Sequence, residues 1–367
     1  MGQYKPLQVA IVGCGNISRA YGASLNRRPD QVEVIGAYDL DQDKAKSYVS
    51  EFGGQVYPSL EALLGDEKVE AVVNLTIHTA HAEVTAAALN AGKHVHVEKP
   101  LATNREDGQM VVDLAEAKGL RLSASPFTFL GEGQQTALKA VQSGLVGPIL
   151  TAYAEMNWAR IERWHPNPAP FYQKGVGPML DVGVYALTLL TSVLGVVKNV
   201  QGYAQICQPQ RETKAGKAYQ VTTPDQITGF LHFESGVTAR LTASFLGFSK
   251  QVGAEFHGRS GSIYISSSHD FDAIVEVHTL DDEWKTIPYI ATPFRGVEWG
   301  RAVFQLADSI RMGVPQRCTG KQANHVLEIC LSILDSAEEN SAIIPIKSTF
   351  ELPIPAYSRN GFIEYPN

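Results

Sequence analysis

The chain has 367 residues, 44% of them apolar, and a formal net charge of −7. That length allows two domains and a large core, and the acidic balance excludes the broad basic face that nucleic-acid binding needs. The four cysteines, Cys14, Cys207, Cys318 and Cys330, are scattered without a CxxC pair or zinc spacing, and they read as reduced thiols of a cytoplasmic protein. The N-terminus shows no charged-then-apolar leader, and Pro6 breaks the myristoylation pattern that Met-Gly would open. The longest uncharged run, 182–197, contains Gly183 and Gly195 and is shorter than the ~20 apolar residues of a membrane span. No membrane partner is expected.

The first third alternates short apolar runs with helical patterns. Strands are predicted at 7–13, 32–39, 69–77, 94–99 and 120–125. Helices are predicted at 17–28, 41–53, 59–65, 80–92 and 105–119. Such alternation implies right-handed crossovers and a parallel sheet. Beyond residue 125 the rhythm changes. Helices at 133–144 and 179–194 precede strand-like runs at 198–206, 227–234, 236–246, 252–256, 262–266 and 273–279, which suit an antiparallel or mixed sheet. Helices at 300–313 and 322–340 close the chain. The expected fold is α/β, with a doubly wound, Rossmann-type parallel sheet over 1–124 and a second α/β domain with a large, mostly antiparallel sheet over 125–367.

"VAIVGCGNIS" places Gly13, Gly15 and Ser18 at GxGxxS between a strand and a helix. Gly13 permits a tight turn, and Gly15 lets a pyrophosphate approach the backbone. The helix that starts with Asn16 and Ile17 then offers free N–H groups and a partial positive charge. Asp39 ends the second strand, where an acid takes ribose hydroxyls. A carboxylate there repels a 2′-phosphate, and no arginine follows it, so NAD is favoured over NADP. In "HVHVEKPLATN" (94–104) a strand ends in a carboxylate, an ammonium and a proline. Proline biases the preceding residue to an extended backbone, so Lys99 is fixed at a strand tip. It either serves chemistry there or closes a structural ion pair with an acid such as Glu98.

The glycine loop and the Glu-Lys-Pro element together resemble the Gfo/Idh/MocA oxidoreductases. "GVGPMLDVGVYALTLLTSVLG" (175–195) resembles that family's Gly-rich turn followed by Asp-x-Gly-x-His. The resemblance implies that Lys99 lies beside the nicotinamide and the substrate hydroxyl. It implies that Glu98 and Pro100 shape the strand end, with a cis peptide before Pro100, and that Asp181 is the family's aspartate. Tyr185 stands where the family usually has its catalytic histidine, as in the branch similar to glucose-fructose oxidoreductase. "TIHTAH" (76–81) falls where the family reads Thr-Pro-Asn and then His, so Thr76 and His81 match while Ile77 and His78 depart. His81 is either a cofactor-pocket residue or a packing and capping one. A phenol of pKa about 10 is a poor base at neutral pH unless a cation favours its phenolate. Lys99 would be that cation and Tyr185 the acid/base, unless Tyr185 is simply a core tyrosine.

The proline-broken stretch 157–175 gathers Trp158, Trp164, Phe171 and Tyr172 with Arg160, Arg163 and His165. Trp158 and His165 join Lys99, Asp181 and Tyr185 as candidate substrate contacts for a sugar, cyclitol or sugar derivative. The alternative is a loop whose aromatics merely pack. No metal site is expected, since the ten histidines show no HExxH and hydride transfer needs no metal. The leading function is an NAD(P)-dependent dehydrogenase or reductase acting on a secondary alcohol or ketone. The competing classes are an NAD-dependent glycosidase with transient C3 oxidation and a non-catalytic dinucleotide sensor. By the resemblance, the second-domain sheet would pair copies of the chain into a homodimer or homotetramer.

Overall fold

The structure is a computed structural model and describes residues 4–358 together with 361 and 362. It divides into two compact units, and each has its own sheet.

The first unit spans residues up to Phe127 and takes in Glu298–Asn324. Its sheet is built from β1 (Leu7–Val12), β2 (Val32–Tyr38), β3 (Gln55–Val56), β4 (Ala71–Asn74), β5 (His94–Val97) and β6 (Leu122–Ala124). The order is β3-β2-β1-β4-β5-β6 and every pairing is parallel. This is the doubly wound order with a switch point between β1 and β4. β4 is buried throughout and β1 nearly so, as strands covered on both faces must be. The crossovers carry α1 (Asn16–Leu25), α2 (Gln42–Phe52), α3 (Leu60–Gly65), α4 (His81–Asn90) and α5 (Arg105–Ala117). The starts of α2, α3 and α5 are capped: Asp41, Ser59 and Asn104 each accept a first-turn backbone N–H.

The second unit holds α6 (Glu132–Gln142), β7 (Ile149–Asn157), α7 (Val184–Leu194) and β8 (Val197–Gln205). A small hairpin, β9 (Gln210–Glu212) and β10 (Ala218–Gln220), follows. Then come β11 (Gln226–Phe233), β12 (Thr238–Ser244), β13 (Ala254–Gly258), β14 (Gly261–Ile265), β15 (Val275–Thr279) and β16 (Lys285–Thr286). After α8 (Arg301–Met312) in the first unit, α9 (Gly320–Glu338) leads to β17 (Ile344–Pro345). The nine-stranded order is β16-β15-β14-β13-β7-β12-β11-β8-β17, antiparallel except for the parallel pair β7–β12. Two glycines face each other across β8 and β11, Gly202 opposite Gly229. A Cβ on Gly202 would lie 1.9 Å from the carbonyl oxygen of Ile333, and one on Gly229 would lie 2.6 Å from that residue's Cδ1. The pair opens the groove in which α9 rests on the sheet.

Three features differ from the sequence reading. The segment Glu298–Asn324, expected in a second domain that begins at 125, packs with the first unit. Buried α8 side chains contact β5 and β6 of the first unit, a long-range return that local periodicity does not encode. The 179–194 helix starts as a π-helical turn, Met179–Gly183. The β9–β10 hairpin was not expected from the sequence; its three-residue strands are too short for an alternation signal.

That hairpin is anchored by a fully buried arginine. The Arg211 guanidinium donates to Asp225 at 2.8 Å and to Glu162 at 2.9 Å, and it stacks on Tyr172 at 4.5 Å. Asp225 also accepts the N–H groups of Cys207 at 2.7 Å and Gln208 at 3.3 Å. Removing one partner of a buried pair strands the other charge. Asp225→Ala is therefore expected to cost about 3–5 kcal/mol of stability, read from chemical denaturation.

Candidate active site

In the first unit the candidate residues gather at the carboxyl ends of the parallel strands, where doubly wound folds bind ligands. Gly13 follows β1 with φ of +94°, and a Cβ there would sit 2.7 Å from the backbone of Leu75. Only glycine lets the β1 and β4 ends approach so closely. A Cβ on Gly15 would meet nothing within 4 Å, so the space over the loop is open. Gly15 brings no side-chain cap to α1, leaving the first-turn amides at Asn16 and Ile17 for an anionic group. Ser18 is buried and donates back to the Gly15 carbonyl at 2.7 Å. Asp39, at the end of β2, accepts from the Cys14 amide at 2.7 Å and from the Asp41 amide at 2.8 Å. Its carboxylate is thereby fixed beside the glycine loop. The donor set and the open space fit a dinucleotide diphosphate and ribose.

The turn after β4 is organised by a residue the sequence reading did not single out. Asn74 is fully buried. Its amide donates to the His81 carbonyl at 3.0 Å and to the Thr85 hydroxyl at 3.1 Å, and its oxygen accepts from the Thr76 hydroxyl at 2.7 Å. This fixes Thr76 although Ile77 and His78 depart from the Pro and Asn that the resemblance implies. His81 is buried, with Nδ1 2.7 Å from the Pro100 carbonyl and Nε2 3.0 Å from the Thr76 carbonyl. Burial holds the imidazole below its usual pKa despite the two carbonyls. A neutral ring has one N–H, so one of the two contacts carries the proton. His81 clamps the Thr76 turn to the Lys99-Pro100 turn.

Glu98 is the hub of a buried network. Its Oε1 accepts from the Tyr21 hydroxyl at 2.6 Å and from the Ser125 hydroxyl at 2.9 Å, and its Oε2 accepts the Lys99 amide at 3.1 Å. His96 Nε2 lies 3.0 Å from the Tyr21 oxygen and Nδ1 lies 2.9 Å from the Ser123 hydroxyl. Since Tyr21 gives its proton to Glu98, His96 must donate from Nε2 and accept from Ser123 at Nδ1. Burial holds this neutral imidazole at about 4. Trp299 and Phe127 enclose the cluster, with Trp299 6.0 Å from Tyr21 and Phe127 6.1 Å from His96 between ring centroids. The Lys99–Pro100 peptide is cis, as the resemblance implied, and so is Ser125–Pro126. Tyr21, Ser125 and Trp299 are invisible as site residues in the sequence, because nothing local links them to Glu98.

In the second unit Tyr185 lies at the start of α7, nearly buried, and Asp181 lies half-buried in the π-helical turn before it. The Tyr185 ring meets His269 edge-on at 4.9 Å, and Trp158 packs tilted on the same His269 ring at 5.8 Å. His269 Nδ1 lies 3.0 Å from Asp270, whose carboxyl is held below its usual pKa chiefly by that hydrogen bond. The fold thus joins Tyr185 and Trp158 through a histidine that sequence reasoning missed. Its only signal is a His-Asp doublet in the β14–β15 loop. His165 is placed differently. It packs edge-on with Phe171 at 4.9 Å and Trp164 at 5.4 Å, and its Nδ1 accepts the Asn167 amide at 3.1 Å.

Comparison with known proteins agrees with this geometry. Residues 7–125 match the model described as an oxidoreductase family with an NAD-binding Rossmann fold. Residues 134–264 match a GFO/IDH/MocA C-terminal domain. A 1,5-anhydro-D-fructose reductase of Ensifer adhaerens is 28% identical over 69% of this chain and 74% of its own. An inositol 2-dehydrogenase of Acidothermus cellulolyticus is 25% identical over 83% of this chain and 87% of its own. Among solved structures, a levoglucosan dehydrogenase in complex with NADH and L-sorbose superposes with a TM-score of 0.81 at 19% identity, covering 94% of this chain and all of that one.

The hub predicts a coupling. Tyr21→Phe removes a donor from a buried carboxylate and should cost about 1–3 kcal/mol. In combination with Glu98→Gln the loss should be smaller than the sum of the two single losses, measured by denaturant unfolding of all three variants. Simple additivity would mean the two side chains are not linked.

Proposed function

Because this chain belongs to the Gfo/Idh/MocA family of oxidoreductases, we propose that it moves a hydride between NAD and a secondary alcohol or ketone of a sugar or cyclitol. Tyr185 is the acid/base in this reading and Lys99 its electrostatic partner. The observation that carries it is the pinning of Lys99. Its amide is tied to Glu98, and Glu98 is tied to the helix that follows the glycine loop. The backbone that carries Lys99 is thereby held just past the end of β5, at the ligand-binding end of the sheet. The names of the relatives support the substrate class, since they act on an anhydro sugar and on inositol.

The dinucleotide, when bound, supplies the hydride acceptor for alcohol oxidation or the donor for carbonyl reduction. Gly13, Gly15 and the amides at Asn16 and Ile17 would hold its diphosphate, and Asp39 its ribose hydroxyls. Thr76, His81 and Glu98 would shape the nicotinamide end. NAD is favoured over its phosphorylated form because the cations near the loop are already paired: Arg19 with Glu51, and Lys44 with Asp41 at 3.6 Å. Oxidation also releases a proton from the substrate oxygen. Tyr185 takes it as phenolate, a form that the charge of Lys99 favours, and in the reductive direction returns it to the carbonyl oxygen. Asp181 orients the substrate hydroxyl. Trp158 offers an apolar face to the sugar ring, and His165 a hydroxyl contact through Nε2.

The full chain should oxidise or reduce one class in a panel of sugars, cyclitols and sugar acids, read as absorbance change at the nicotinamide band. Tyr185→Phe should lower kcat by about a hundredfold or more while leaving NAD affinity near wild type. Near-wild-type turnover would remove the acid/base role.

We also propose that the chain pairs through the outer face of its nine-stranded sheet. Across five strands the register aligns Gln201, Phe230, Arg240, Tyr153 and Glu255 in one row. Phe230 is 51% exposed and Tyr153 41%, and Arg240 stacks over Tyr153 at 5.1 Å. Arg240 is already paired within the chain to Glu155 at 2.6 Å, so the aromatic rings are the part of the row left for a partner. Light scattering should give a dimer or tetramer, and Phe230→Asp should shift it toward monomer; a monomeric wild type refutes the interface.

A further inference from the structure

A cavity of about 550 Å³ opens in the second unit beyond the ends of β7 and β12. None of the residues proposed for hydride transfer lines it. Its volume is within the range of small-molecule sites, roughly 300–1,000 Å³. Three arginines line it, and they are used in two different ways. Arg211 is spent on structure, since it is buried and paired with Glu162 and Asp225. Glu162 is equally spent, because its second oxygen accepts the Tyr172 hydroxyl at 2.6 Å. Asp225, behind the wall, is satisfied by Arg211 and two backbone amides.

Arg160 and Arg163 are different. Both are exposed, and neither has an ion-pair partner among the described residues. Each is nevertheless held in place. Arg160 donates from Nε to the Leu246 carbonyl at 3.1 Å. The Arg163 guanidinium stacks over the Phe248 ring at 4.4 Å. A stacked guanidinium keeps all its in-plane N–H groups, and one anchored at Nε keeps its terminal pair. Two forks are thus oriented without a carboxylate, in a chain whose net charge is −7. Of the remaining lining side chains only Glu212 opposes them, while Gln208 and Gln210 add neutral amides. Planar forks of this kind match carboxylate and phosphate oxygens, and the amides match hydroxyls.

We propose that this cavity binds the anionic group of a small polyhydroxylated molecule, a sugar acid or sugar phosphate, with Arg160 and Arg163 as the clamp. The proposal goes beyond the dehydrogenase reading and does not depend on turnover.

Calorimetric titration of the full chain, without dinucleotide, tests it with D-glucuronate, D-glucose 6-phosphate and D-glucose. At least one of the two anions should bind about tenfold tighter than glucose or more, and the tighter one identifies carboxylate or phosphate as the preferred group. Affinity should weaken between about 50 and 300 mM salt, since the rim is exposed to screening. Arg160→Gln and Arg163→Gln should each weaken the anion about tenfold, with thermal unfolding and NAD binding unchanged. Arg163→Lys keeps the charge without the fork and should fall between Arg163→Gln and wild type. Absence of anion binding, glucose binding as tight as both anions, or wild-type affinity in the glutamine variants would overturn the proposal.

Discussion

The first unit is organised around one buried carboxylate. Glu98 cannot be taken out of water cheaply unless donors meet it, and three do: a hydroxyl from α1, a hydroxyl after β6 and the amide of the next residue. Each donor belongs to a different part of the dinucleotide end of the sheet. The glycine loop and α1 are thereby locked to the tip of β5, and the tip of β5 to that of β6. The same tie restricts where Lys99 can be. A lysine on a helix face samples many rotamers in water; here the backbone that carries it is held from both sides, by Glu98 and by the His81 contact to Pro100. In the proposed reaction, pre-organisation of this kind would remove ordering cost from the chemical step.

The network also has a direction. Ser123 donates to His96, His96 to Tyr21 and Tyr21 to Glu98, so every proton in the chain leans toward the carboxylate. The low pKa of His96 follows from the same burial that makes the chain necessary. A charged imidazole would have to share its second N–H with a hydroxyl that is better used as a donor. The neutral His96 ring and the hydroxyls turned toward Glu98 are therefore one arrangement rather than two independent facts.

Much of this was legible in the sequence, and the limit was physical. The parallel sheet, its glycine loop and Asp39 are local signals, since a strand, a tight turn and a helix start lie within about ten residues of each other. Lys99 and Pro100 were legible because proline restricts its neighbour. What was not legible depends on distance along the chain. Tyr21 and Ser125 reach Glu98 across 77 and 27 residues, and the chain returns to the first unit at Glu298 after leaving it at Phe127. His269 is one His in a loop of polar residues, and only the fold brings it against Tyr185 and Trp158. His165 has the right residue type and the right loop, and only the fold shows that it packs on Trp164 and Phe171 with Nδ1 turned to the Asn167 amide.

The second unit shows how the same residue type divides between scaffold and recognition. Arg211 has two carboxylates, an aromatic face and no access to water; its charge is neutralised before any ligand arrives. It fixes the β9–β10 hairpin, and with it Gln208 and Gln210, against the sheet. Arg160 and Arg163 have the geometry without the counter-charge. An exposed arginine that only solvates itself has no reason to be oriented, and ordering its side chain costs about 2 kcal/mol of rotamer entropy. A carbonyl and an aromatic ring offset part of that cost and leave the forks open. Buried pairing in the wall and unpaired forks at the rim are complementary requirements: the wall must not move if the rim is to hold an anion in one place.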